Sequence, residues 1–151
     1  MTVIDVNKDL SALFGQQAHA TPSAVALEDA TTALTYAELE EKVDALARRL
    51  RLEGVGRDSL VGVLMGRSAD YVIACLAALR AGGAFLVLEL AYPKDLLADV
   101  LLDASPVVVV THSTHAANIK AGTRLILLDQ PEPDVNGSAA LRSRSQNSIR
   151  L

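Results

Sequence analysis

Tryptophan is absent from this 151-residue chain, and aromatic residues make up only 3% of it. Its core must therefore be built from aliphatic side chains. Half of the residues are apolar, mostly Ala, Leu and Val, a composition that suits helices packed on buried strands and argues against disorder. Cysteine occurs once, as Cys75. One thiol cannot form a disulfide within the chain, which fits a reducing, cytoplasmic compartment. Concentrated positive charge is also lacking: the net charge is −4, Lys and Arg are dispersed, and no nucleic-acid motif is present, so nucleic acid is not an expected partner. The start, Met1 to Asp5, has no basic stretch followed by a long apolar run, so no signal peptide is expected. The only segment near membrane-spanning length, Tyr71 to Leu90, contains Arg80, Glu89 and the pair Gly82-Gly83. It reads as a buried helix, turn and strand, and no membrane association is expected.

Helical and strand patterns alternate along the chain. Leu10, Leu13 and Phe14 give an apolar face to a short helix ending near His19, with Pro22 in the turn that follows. Ala24 to Leu27 reads as a short strand and Asp29 to Thr32 as a turn. Thr35-Tyr36-Ala37-Glu38 fits a capping box. Leu39, Val43, Leu46, Ala47 and Leu50 then recur at helical spacing, with Gly54 as the stop. Leu60 to Leu64 is a buried-strand pattern. Ser68 can cap a helix carrying Val72, Ile73, Leu76 and Leu79, which Gly82-Gly83 ends. Ala84 to Leu88 is a further apolar strand. Pro93 suits the first position of a helix whose buried side is Leu96, Leu97, Val100 and Leu101, and Pro106 stops it. Val107 to Val110 and Leu125 to Leu128 complete the strands. Strands apolar on both faces require helices on both sides. The expected fold class is α/β: a partial three-layer α/β/α domain with a mainly parallel sheet and right-handed crossovers. The expected boundaries are 1–130 for this domain and 131–151 for a disordered or foreign tail, because Pro131-Glu132-Pro133-Asp134 cannot continue a regular element and 138–151 is rich in Ser, Arg, Asn and Gln.

Isolated candidates for chemistry are weak. Gly54-Val55-Gly56 begins like a dinucleotide fingerprint, but a helix precedes it and the third glycine is missing. His112 and His115 have metal-compatible spacing without a third ligand, so a solvated loop is the better expectation. Cys75 lies among small apolar residues and reads as a buried hydrophobe. His19 reads as the frayed end of the first helix, and Ser11, Ser59 and Ser68 lack a nucleophile-elbow context.

Two longer signatures are more specific. Leu34-Thr35-Tyr36-Ala37-Glu38-Leu39 resembles the opening core motif of adenylation domains of the nonribosomal-peptide-synthetase type, part of the AMP-dependent synthetase and ligase (adenylate-forming) superfamily. Leu79-Arg80-Ala81-Gly82-Gly83-Ala84-Phe85 resembles their second core motif, with Arg for Lys and Phe for Tyr. Ala91-Tyr92-Pro93 matches what commonly follows. The resemblance covers about Leu10 to Asp129. Val87-Leu88-Glu89-Leu90 departs from the family's Pro-Leu/Ile-Asp-Pro, and losing two prolines makes that connection less rigid.

The resemblance implies an N-terminal portion of an adenylation (AMP-binding) domain. The complete domain would couple ATP, with Mg²⁺, to an amino or other carboxylic acid, form an acyl-AMP, and pass the acyl group to a carrier-protein thiol. The family's Ser/Thr/Gly-rich phosphate loop ending in Pro-Lys-Gly does not occur in this sequence, nor do the later ribose-binding acid, hinge and catalytic lysine. Lys42, Lys94 and Lys120 stand beside no such loop. The expectation is therefore no catalytic, cofactor-binding or metal residue, no cofactor bound by this chain, and no activity of the chain alone. Thr35 and Glu38 read as a helix cap. Gly82 and Gly83 read as a helix stop and close approach, because phosphate loops follow a strand and precede a helix. The expected partners are the remainder of a synthetase or a complementary chain. The alternative function is a non-catalytic module, or split half, that docks onto such a chain through its open sheet edge.

Overall fold

A computed structural model describes residues 14–130. The proposed tail lies outside these residues, as do Leu10, Ser11 and Leu13. Residues 14–20 are helical (α1). There follow β1 (Val25–Glu28), β2 (Ala33–Thr35), α2 (Tyr36–Leu52), β3 (Leu60–Leu64), α3 (Ala69–Arg80), β4 (Ala84–Val87), α4 (Lys94–Ala104), β5 (Val108–Thr111), α5 (Ser113–Ala116) and β6 (Leu125–Leu127).

The sheet has four strands in the order β4-β3-β5-β6, and every neighbouring pair is parallel. The α/β class expected from the sequence is what the chain forms. Alternation along each strand sends side chains to opposite faces. Val61, Val63, Val108, Val110 and Ile126 meet a cluster that includes Leu39, Val43, Leu46 and Leu50 of α2 and Ile73, Ala74, Ala77 and Ala78 of α3. On the other face Leu64 and Val109 meet Leu88, Leu97, Leu101 and Ile119. The sheet is thus the middle of three layers.

Several expectations need correction. A small antiparallel hairpin, β1–β2, precedes α2. Its second strand coincides with the start of the first motif and was not expected. Pro93 is the residue before α4 rather than its first helical residue. Leu96 is 44% exposed, and only Leu97 and Leu101 of α4 are buried. Among the residues expected on the buried side of α3, Val72 and Leu76 are only partly buried, whereas Ala74, Ala77 and Ala78 are fully enclosed. Small side chains let α2 and α3 approach closely, which outweighs the larger apolar payload of the neighbouring positions. No helix among the described residues is long and apolar enough to cross a membrane.

Candidate functional site

The first motif is a helix start. The Thr35 hydroxyl accepts from the Glu38 amide at 3.2 Å, and the Thr35 amide donates to Glu38 Oε1 at 2.9 Å. Each group satisfies a backbone donor or side chain that would otherwise face only water. Neither residue faces a cleft as a free polar group.

The second motif holds α3 to α2 and turns the chain into β4. Arg80 pairs with Glu40, donates to Asp44 Oδ1 at 2.8 Å, and lies 5.4 Å from the Phe14 ring centroid. Its backbone carbonyl accepts from the Arg51 guanidinium at 2.8 Å. Burial pulls the Arg80 pKa down, but the hydrogen bonds and charges of Glu40 and Asp44 outweigh it and hold Arg80 above its ordinary value. Gly82 has φ +95°, a conformation that ends α3 and that a side chain would strain. A Cβ on Gly83 would stand 3.0 Å from both the Ser59 carbonyl oxygen and Val55 Cγ1. The Ser59 carbonyl accepts from the Ala84 amide at 2.9 Å, which begins the β3–β4 pairing. These glycines shape a helix-to-strand turn packed on protein, not a phosphate cradle.

The region after β4 docks despite its missing prolines. Leu88 is 2% exposed, and its amide donates to the Val63 carbonyl at 2.9 Å. Glu89 and Leu90 are exposed. Burial of Leu88 against Leu97 and Leu101 supplies the anchor for α4.

In an open parallel sheet, ligands favour the crevice at the carboxyl ends of the strands, where successive connections leave in opposite directions. Here that place lies between β3 and β5, because β4 and β5 flank β3 on its two sides. Polar groups at this end are engaged with one another. Thr111, fully buried, donates its hydroxyl proton to the Leu64 carbonyl. His112 Nε2 is 2.7 Å from Asp70 Oδ2. Ser113 donates from its amide to Asp129 Oδ1 at 2.9 Å and from its hydroxyl to the same carboxylate. The Ser68 hydroxyl accepts from the Tyr71 amide at 3.3 Å, capping α3. Asp29, in the β1–β2 turn, accepts from the Ala69 amide at 2.8 Å and also holds the Thr31 and Thr32 amides. The bonds from Ala69 and Thr31 are the main reason the Asp29 carboxyl is held below its usual pKa. Bonds from Ser113 do the same at Asp129. Carboxylates at this end thus act as backbone and side-chain acceptors.

The remaining candidates are scattered. His112 is part-buried and paired rather than solvated, correcting the loop expectation, while His115 lies in α5 with no charged partner described. Among the described residues no three His, Cys, Asp or Glu side chains converge as a metal site. Cys75 is only half-buried; desolvation nevertheless pushes its thiol up to about 11, so it is protonated at neutral pH. Gly54 and Gly56 link α2 to β3, and the Gly56 amide donates to Ser59 Oγ at 3.0 Å. His19 is in the last turn of α1 and exposed. Lys42, Lys94 and Lys120 are all exposed, in α2, in α4 and after α5 respectively. Among the described residues, Lys42, Lys94 and Lys120 lie on other elements than the glycine turns, so these groups do not form a cradle for a nucleotide triphosphate or its Mg²⁺. Sequence reasoning missed Asp29, Asp70 and Asp129, and the Glu40–Asp44–Arg80 cluster. Asp29 before a Thr pair carries a turn signal, but its reach to Ala69 is a long-range contact with no local signature.

The family model described as AMP-binding enzyme matches residues 14–148. The chain is 66% identical over 137 residues to glycine betaine reductase ATRR of Emericella nidulans, covering 91% of this chain and 11% of that protein. It is 35% identical over 142 residues to tyrocidine synthase 1 of Brevibacillus parabrevis, covering 92% of this chain and 13% of the synthase. Among solved structures, the nonribosomal peptide synthetase FmoA3, in a form with α-methyl-L-serine-AMP bound, superposes with a TM-score of 0.75 at 34% identity. That match covers 80% of this chain and 14% of FmoA3. The chain thus spans a small share of the length of the relatives it matches. With two core motifs, a matching parallel sheet and a family match over most of its length, the chain belongs to the AMP-binding enzyme family.

Proposed function

We propose that this chain supplies the structural base of an acid-activating adenylation domain, and that the activity of the complete domain is ATP-dependent formation of an acyl-AMP for transfer to a carrier thiol. In that reaction a carboxylate oxygen attacks the α-phosphorus of ATP, a P–O bond forms, and pyrophosphate leaves with the electrons of the broken bond. The protein's task is to align the two reactants and stabilise the charge that develops. One observation supports a structural role above all: the residues of both core motifs are engaged in a helix cap, an inter-helix ion pair and a tight turn. Among the described residues β4 and β6 are the edge strands of the sheet, and their edges fit a partner that continues it, either the rest of a synthetase or a complementary chain.

The high identity to a protein named for reducing glycine betaine, nearly twice that to tyrocidine synthase 1, favours a small betaine-like acid over a proteinogenic amino acid. It fits the chemistry too, since a carboxylate resists hydride until it is activated. A chimera tests the structural role. Residues 14–130 replace the aligned segment of the glycine betaine reductase, and acid-dependent ATP–pyrophosphate exchange is measured with glycine betaine and with amino acids. Retained exchange with glycine betaine is expected. A folded chimera without exchange would contradict the structural role.

A further inference from the structure

A groove runs along the outside of α2 and α3, on the side where the chain leaves β6. Ala45, Ile73 and Leu128 contribute its apolar surface, and Lys42 and Arg49 stand over it from α2. Neither cation has an ion-pair partner among the described residues. Asp70 also lines the groove, but its carboxylate is held by His112 at 2.7 Å. Gln130, the last described residue, forms part of the same wall, so the chain is delivered into the groove.

We propose that this groove is the docking site of the stretch that follows directly, Pro131, Glu132, Pro133 and Asp134. The inference goes beyond the adenylation reading and does not depend on it. Charge complementarity carries it: Glu132 and Asp134 lie within four residues of Gln130, and Lys42 and Arg49 on α2 have no ion-pair partner among the described residues. Lys42 and Arg49 are seven residues apart, about 10 Å along a helix. Glu132 and Asp134 are two residues apart, about 7 Å along an extended chain. The long Lys and Arg side chains make up the difference. Alternating prolines favour extended backbone and remove two amide donors, so this stretch can lie on an apolar floor with few unsatisfied groups. Docking would fasten the end of β6 onto α2.

Charge reversal of the full 151-residue chain tests this. Four ¹⁵N-labelled proteins are compared: the wild type, Glu132→Lys with Asp134→Lys, Lys42→Glu with Arg49→Glu, and the combined exchange of all four charges. Amide signals of Ala45, Ile73 and Leu128 and the urea midpoint are read at low salt. Reversal on either side is expected to move these signals and lower the midpoint, and the combined exchange to restore both. Unmoved groove signals in the Glu132→Lys, Asp134→Lys protein would overturn the proposal, as would additive losses in the combined one. Signals that move with protein concentration instead would assign the groove to a second copy of the chain and equally overturn it. Because the segment pair can be reversed without touching α2, a folding failure of the Lys42→Glu, Arg49→Glu protein leaves the test intact.

Discussion

Replacing Arg80 with alanine removes the link that fastens α3 to α2 beneath the second core motif. Arg80 retains only 15% of its side-chain exposure, while Glu40 retains 30% and Asp44 47%. A hydrogen bond to a charged partner contributes roughly 1.5–3 kcal/mol when desolvated, and exposure of Asp44 places its bond near the bottom of the range for surface pairs, about 0.2–1 kcal/mol. The contact with the Phe14 ring adds about 0.5–1 kcal/mol. The loss on Arg80→Ala should therefore be about 2–5 kcal/mol, a large part of the roughly 5–15 kcal/mol that holds a domain together. Lysine, which stands at this place in the resembling motif, keeps the charge but not the two-pronged geometry, and Arg80→Lys should lose less. Urea denaturation of Arg80→Ala, Glu40→Ala, Asp44→Ala and the double mutants measures the coupling. Glu40 and Arg80 should couple more strongly than Asp44 and Arg80. Purely additive losses would refute the ion-pair account, because groups that share an interaction cannot be removed independently.

Other outcomes follow from the same geometry. Thr35→Ala should lower stability by roughly 0.5–2 kcal/mol, and Glu38→Ala by less, because Glu38 is exposed whereas Thr35 is partly buried; unchanged denaturation midpoints would remove the capping box. Gly83→Ala should cost about 1–3 kcal/mol through overpacking, since its Cβ would press on the Ser59 carbonyl and Val55; a calorimetric scan with an unshifted Tm would show that the turn relaxes freely. Asp29 has a lowered carboxyl pKa in the folded chain relative to an ordinary value of 3.8. Its contribution is therefore present above the ordinary value and lost as pH falls through the lowered one. Asp29→Asn should flatten the acid side of the stability profile, and acid curves of parallel shape for wild type and variant would contradict that role.

Most of the layered fold was legible because its signals are local. Continuous aliphatic runs such as Val107 to Val110 announce strands buried on both faces, and the Thr35–Glu38 spacing announces a helix start. The β1–β2 hairpin was hidden because Ala33-Leu34-Thr35 is too short for alternation to register and runs straight into the cap. Leu96 misled because hydropathy does not say which side of a short amphipathic helix has a neighbour, and α4 is covered mainly through Leu97 and Leu101. The engaged polar groups at the carboxyl end of the sheet were invisible for a different reason. His112 meets Asp70 across 42 positions and Asp29 meets Ala69 across 40. Such contacts are products of topology, with no spacing in the sequence to announce them.

On the proposed reading, these residues form the base of an acid-activating domain and do not themselves hold the reacting groups. Incubating the purified 151-residue chain with ATP, Mg²⁺, labelled pyrophosphate and a panel of acids that includes glycine betaine tests it most directly. Label in ATP is expected at the level of a no-protein control for every acid. Acid-dependent exchange above that level would contradict it and would mean that the chain carries a phosphate site of its own.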